Sequence, residues 1–220
     1  MLGQMGSYAR PSADVGDVLD LYLHGYVSSR IMNLSRDSAA AAATGDEPKA
    51  VGMPITVAAT HFDGLVLALS PNAHSYNYRS AVLFGHAVVV TDVAERLYAM
   101  ELITDAVVPD RWRNTRVPPN KAEMSSTTIL KVSVSHGSAK VRQGMPHDER
   151  CDLEDEAVMD GVWNGVVPAY TVMGEPIPSP YNRVKEVPAY LQEWIKDINE
   201  SRREMAVEEM TKEPEPKEAK

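Results

Sequence analysis

Leu19, Leu21 and Leu23 alternate with Asp20, Tyr22 and His24, and the alternation stops at Gly25. Apolar residues at every second position mark a strand with one buried face, and a glycine permits an abrupt change of backbone direction. The strand therefore delivers a turn carrying Ser28, Ser29 and Arg30. Two hydroxyls and a guanidinium are the groups that a phosphate or another anion needs around it. Taken alone, the same triplet also serves to cap a following helix and to solvate a surface.

The arrangement occurs again further along. Asn77, Tyr78, Arg79 and Ser80 stand immediately before the apolar stretch Ala81–Val90, and the alternating segment Thr127–Ser135 runs into a basic turn, His136–Arg142, with Lys140 and Arg142. In this order the stretches resemble the FMN-binding split-barrel superfamily that includes pyridoxamine 5′-phosphate oxidase. Within it they are most similar to the flavin-nucleotide-binding branch, itself similar to the 5-nitroimidazole reductases. The resemblance is carried by Leu21–Gly25 with Ser28–Arg30, by His74–Ser80 and by Ser138–Arg142, and it runs from about Tyr22 to Pro180.

That resemblance implies a mainly β chain with helices, an α+β split β-barrel of the FMN-binding type, forming a homodimer with FMN at the subunit interface. It implies that Ser28, Ser29 and Arg30 hold the phosphate, and that Asn77, Tyr78, Arg79 and Ser80 form a second phosphate-side or ring-side element. Tyr22, His24 and Gly25 lie on the strand that passes the flavin ring. Lys140 and Arg142 are either flavin or substrate contacts or an ordinary solvated segment. His24 is the one candidate for a redox or substrate role, against the alternative of a structural histidine. The function implied is an FMN-dependent oxidoreductase acting on an unknown small molecule. A flavin-binding protein without turnover and a cofactor-free interaction protein with an incomplete site are the alternatives. Family members have a helix and two strands upstream of the Leu21 strand. Here Met1–Val18, with Gly3, Gly6, Pro11 and Gly16, reads as a loop, so the leading strands are expected to be missing or shortened. An upstream extension is expected to strengthen flavin binding.

Composition narrows the partners. A net charge of −9 on 220 residues is unlike a nucleic-acid protein, whose affinity rests on lysine and arginine neutralising phosphates. The single cysteine, Cys151, allows no intrachain disulfide and no paired-cysteine metal site. No apolar run approaches the 18 or so residues of a membrane span, and no signal-peptide pattern opens the chain. A cytoplasmic protein without membrane or nucleic-acid partners is expected. Hydrolase, kinase and zinc-protease motifs are absent from the sequence, and the acidic run Cys151–Asp160 lacks the spacing of a calcium loop, so it reads as a solvated loop and no metal site is expected.

The remaining elements follow from periodicity. Ile31, Met32 and Leu34 begin a helix that the alanines 39–43 extend, and residues 44–48 form a flexible loop. Ile55–Phe62 and Leu65–Leu69 flank Asp63-Gly64, which is a hairpin signature; His61 beside it reads as a surface imidazole. Asp92 with Glu95 forms the start of a helix over 92–107. The segment 109–119, with Arg111, Trp112, Arg113 and Arg116, is an exposed connection. Trp163, in a segment that resembles the family's Trp-x-Gly-x-x-Pro, is expected in the core. Leu191, Trp194, Ile195 and Ile198 give one apolar stripe to a C-terminal helix. The expected organisation is a loop over 1–18, a barrel domain over 19–180, a helical extension over 181–210 and a disordered tail over 211–220.

Overall fold

The computed structural model describes residues 1–14, 16–43 and 52–212, so the expected loop at 44–48 and most of the expected tail lie outside the described residues. Six strands form one sheet in the order β1-β2-β5-β4-β3-β6. They are β1 (Leu2–Gly6), β2 (Asp20–Tyr26), β3 (Met53–Leu67), β4 (Ser75–Val89), β5 (Thr127–Arg142) and β6 (Gly165–Pro168). Six helices accompany them: α1 (Arg30–Ala43), α2 (Val93–Val107), α3 (Lys121–Ser126), α4 (Arg150–Leu153), α5 (Glu156–Gly161) and α6 (Ala189–Thr211). No helix of the described residues is long and apolar enough to cross a membrane.

Two compact units divide the chain, Met1–Val57 with Val82–Ser138, and Ala58–Ala81 with Ala139–Lys220. In the first, the alternation of β2 sorts its side chains between two clusters. Leu21 and Leu23 pack with Met32 of α1, Ala87, Leu130 and Val132. Tyr22 packs instead with Ala99, Met100 and Ile103 of α2 and with Ile129. Each of the large apolar side chains contributes about 1.5–3 kcal/mol on full burial. The strand is antiparallel to β5, with Tyr22 opposite Lys131, and to β1, with Leu2 opposite His24. The expected loop at the start of the chain therefore contains a short strand. Gly3 permits this, because a Cβ there would meet Leu23 Cδ2 at 2.6 Å and the Tyr22 carbonyl at 3.0 Å. The helix expected from Asp92 is present, and the Asp92 carboxylate accepts from the Glu95 amide at 2.8 Å.

In the second unit the expected hairpin at Asp63-Gly64 does not form. β3 runs straight through it, because Asp63 is buried and bonded to Arg79 rather than exposed at a turn tip. Gly64 sits at φ +152° with the Val167 carbonyl 2.3 Å from where a Cβ would be. Close approach, and not chain reversal, is what this glycine supplies. The basic turn expected at 136–142 is likewise strand, with Gly137 allowing a 3.0 Å approach to the Val82 carbonyl within the first unit.

The acidic run forms α4 and α5 instead of a loop, and the Asp155 side chain caps α5 by accepting from the amides of Ala157 and Val158. Trp163 is 66% exposed, not in the core. The C-terminal helix continues past the stripe read from the sequence to a last turn in which Ala206 and Met210 are buried.

Candidate functional site

The end of β2 and the start of α1 make one compact turn. The Val27 amide donates to the Ser126 carbonyl at 2.8 Å and the Ser29 amide to the Tyr26 carbonyl at 2.9 Å. The carbonyls of Val27, Ser28 and Ser29 accept from the Arg36 guanidinium at 2.6 Å, the Asn33 side chain at 3.3 Å and the Asn33 amide at 3.1 Å. Gly25 lies within the strand, not at the turn, and a Cβ on it would meet the Met32 methyl at 2.6 Å. Its role is to let α1 seat closely under the strand end.

Against this fully bonded frame one atom stands out. Among the described residues, Ser29 Oγ is the buried side-chain polar atom with no hydrogen-bond partner. An unsatisfied buried hydroxyl costs about 1–3 kcal/mol, so an acceptor reaching it would be bound with gain. Arg30 is exposed, and its guanidinium has no partner among the described residues. The first-turn amides of α1 have no acceptor inside the helix, and the helix dipole is positive there. Hydroxyl, guanidinium and amides suit an anion, and the phosphate of a flavin nucleotide fits that donor set.

The other residues of β2 divide. Tyr22 is fully buried; its hydroxyl donates to Glu95 Oε1 at 2.9 Å, and Glu95 accepts from Lys131 Nζ at 2.8 Å. Burial, then the bond to the Glu95 carboxylate, holds the Tyr22 phenol far above its ordinary titration range. Tyr22 therefore sits in the core with its hydroxyl engaged by Glu95. His24, two residues on and on the same face, is half-buried and makes no hydrogen bond among the described residues.

The second expected element is built differently. Asn77 is fully buried; its amide donates to the Gly144 carbonyl at 2.9 Å and to Met210 Sδ at 3.1 Å, and its Oδ1 accepts from Arg142 at 2.5 Å. Arg79 is held by Asp63 through two hydrogen bonds. The bond to Asp63 is the first cause of the raised pKa of Arg79. Asn77 ties β4 to the end of α6, and Arg79 ties β4 to β3. Tyr78 is half-buried, the Ser80 hydroxyl shares a hydrogen bond with that of Thr60 at 3.1 Å, and Lys140 is exposed and without a partner among the described residues. The structure thus joins Asn77 to Arg142 and sets Arg79 apart on a carboxylate. Asp63, Glu95 and Lys131, which decide what Arg79 and Tyr22 do, carry no signal in the sequence, since their partners lie 16, 73 and 36 residues away. No three His, Cys, Asp or Glu side chains gather as a metal site among the described residues.

A family model described as pyridoxamine 5′-phosphate oxidase matches residues 4–141. Among solved structures, the FAD and haem binding protein from Mycobacterium smegmatis is 31% identical, over 83% of this chain and 79% of that one, with a TM-score of 0.64. The flavocytochrome Anf3 from Azotobacter vinelandii is 24% identical, over 88% and 84%, with a TM-score of 0.62. No curated protein matches the sequence significantly.

Proposed function

Because the chain belongs to the pyridoxamine 5′-phosphate oxidase family and has that family's α+β split barrel, we propose that it binds a flavin nucleotide whose phosphate is held at Ser28, Ser29 and Arg30. The observation that carries this reading is the buried Ser29 Oγ at the start of a 14-residue helix, next in sequence to the Arg30 guanidinium, both without a partner among the described residues. FMN is the proposed nucleotide, since a single terminal phosphate suits one such turn; the FAD of the Mycobacterium smegmatis relative is the competing form. Arg79 and Arg142 are not part of the phosphate set, because Asp63 and Asn77 already engage them. Lys140 is the remaining exposed cation of the three expected elements.

We propose further that the protein is an FMN-dependent oxidoreductase acting as a homodimer in the cytoplasm. The flavin, when bound, supplies the electron chemistry; the chain holds it, orients it and admits the substrate. The rival reading is a flavin holder without turnover, and it is favoured by Tyr22, whose hydroxyl is tied to Glu95 and offers no proton to a ligand. Denaturing the purified protein and chromatographing what it releases distinguishes FMN, FAD and neither. Adding NADPH or NADH to the flavin-loaded protein then decides turnover. Bleaching of the visible absorbance supports the oxidoreductase, and an unchanged spectrum supports the holder. A protein that neither carries nor takes up a flavin overturns the reading.

A further inference from the structure

Between β6 and α6 the second unit carries a strap that touches little of its own chain. Every residue from Gly174 to Glu186 is exposed, and a Cβ on Gly174 would meet no atom within 4 Å. The hydrogen bonds of the strap among the described residues are local. The Asn182 amide donates to the Ser179 carbonyl at 2.9 Å, and the Asn182 side chain donates to the Val184 carbonyl at 2.8 Å and accepts from the Val184 amide at 3.3 Å. Its two roots, in contrast, are pinned to α6. The Asn199 side chain donates to the Met173 carbonyl at 2.9 Å and accepts from the Met173 amide at 2.7 Å. At the other root the Gln192 side chain donates to the Val187 carbonyl at 2.7 Å. Pro176, Pro178 and Pro180 stiffen the stretch between, because each ring fixes its own φ.

A strap so open to water calls for polar side chains. This one instead holds out Ile177, 93% exposed, and Tyr181, 87% exposed, with Val184 beyond them. Pinned roots and proline rings have already removed much of the freedom that binding would otherwise cost. Proline-rich extended segments dock against aromatic faces, and the same unit presents an open pair of that kind. Phe62 of β3 and Tyr76 of β4 meet edge to face with ring centroids 5.5 Å apart, and both are exposed. Within one chain, strap and pair leave each other uncovered. In a two-fold dimer every contact occurs twice, so the strap of each copy can cover the pair of the other.

We propose that Gly174–Glu186 is the arm by which one copy of this chain holds a second, seated on the Phe62–Tyr76 pair of that second copy. Glu175, Arg183, Lys185 and Glu186 leave the arm without net charge, so it approaches a chain of net charge −9 without net repulsion. Each copy brings Tyr181, Phe62 and Tyr76, aromatic rings that bury up to about 150–250 Å² apiece. With Ile177, Val184 and the prolines they bring the contact to the roughly 1,200–2,000 Å² of a stable interface. The inference rests on the homodimer proposed above, and not on flavin binding; it names the surface that makes the dimer.

Sedimentation velocity of the full chain from nanomolar to micromolar concentration gives the dissociation constant of the dimer. The double variant Ile177→Asp, Tyr181→Asp is expected to raise it at least about tenfold with the circular dichroism spectrum unchanged, since both side chains stand in water in the single chain. Benzoylphenylalanine in place of Tyr181 is expected to give, on irradiation, a covalent dimer on a denaturing gel, joined within residues 60–62 or 75–78. A wild-type chain that stays monomeric overturns the inference together with the homodimer. A wild-type dimer whose dissociation constant the double variant leaves unchanged overturns the arm alone, and so does an irradiated sample without covalent dimer or with the link outside those two stretches.

Discussion

Arg79 clasps Asp63 by two parallel hydrogen bonds, Nε to Oδ2 at 3.1 Å and Nη2 to Oδ1 at 2.8 Å, around a carboxylate side chain only 2% exposed. The fork matches guanidinium to carboxylate geometry. Removing either partner strands a buried charge, which costs about 3–5 kcal/mol. Arg79→Ala is expected to lower stability by about that amount in urea unfolding. Among folded molecules it is expected to leave the ratio of FMN to riboflavin affinity unchanged. A selective loss of FMN would return Arg79 to the phosphate site.

Arg30→Ala is expected to do the reverse. A hydrogen bond to a charged group is worth about 1.5–3 kcal/mol, so FMN should bind about 10- to 100-fold more weakly. Riboflavin, without the phosphate, should bind as before. Stability should change by less than about 1 kcal/mol, since the side chain is exposed and unpaired. Fluorescence titration of both flavins reads the difference, and a common loss would remove Arg30 from the phosphate.

Tyr22 makes the fold sensitive to alkali. Its phenol is raised by burial first and then by the bond to Glu95, so the neutral form is the one the folded state holds. The contribution is complete below the unfolded phenol's pKa near 10 and is lost as pH climbs above it, by up to about 1.4 kcal/mol per pH unit. Tyr22→Phe is expected to be about 1 kcal/mol less stable at pH near 8 through the lost hydrogen bond, yet to lose less on going to pH near 11. Urea midpoints at the two pH values, with equal declines in both proteins, would refute it.

Gly64→Ala is expected to be among the most damaging small substitutions. Its φ of +152° disfavours any side chain, and a methyl there would stand 1.8 Å from Met210 Cε and 2.3 Å from the Val167 carbonyl oxygen. The methionine can swing away, but the β6 backbone cannot. A loss above about 2 kcal/mol is expected by thermal unfolding, whereas Gly174→Ala, with open space around it, should be nearly neutral.

The proposed homodimer should scatter light as twice 24.2 kDa. Ile177 is 93% exposed, Tyr181 87% and Trp163 66%, and a dimer that covers them would remove that apolar surface from water. A single species of one chain's mass at micromolar concentration would count against the dimer and against a flavin site shared between subunits.

Much of this architecture was legible in local patterns. β2 followed from three leucines at every second position, and α2 from its Asp92 cap and apolar period. Two of the departures share one cause. Asp63-Gly64 and His136–Arg142 have turn composition, but cross-strand contacts far away in sequence keep both extended. The candidate site split on the same line. Ser29 and Arg30 lie on a turn that local bonds define, and their expected role stays open to them. Tyr22, Asn77 and Arg79 have partners that only the folded chain brings within reach, and no local pattern announces those partners.

The anchoring of Asn77 by Met210 sets a timetable for the chain as it is made. The two are 133 residues apart, so at about 5–20 residues per second the ribosome releases the methionine roughly 7–27 s after the asparagine. Throughout that interval the buried amide, the glycine at 64 and the first half of β4 lack the helix turn that covers them. A stalled or prematurely terminated chain ending before residue 206 lacks the helix turn that covers Asn77 and Gly64.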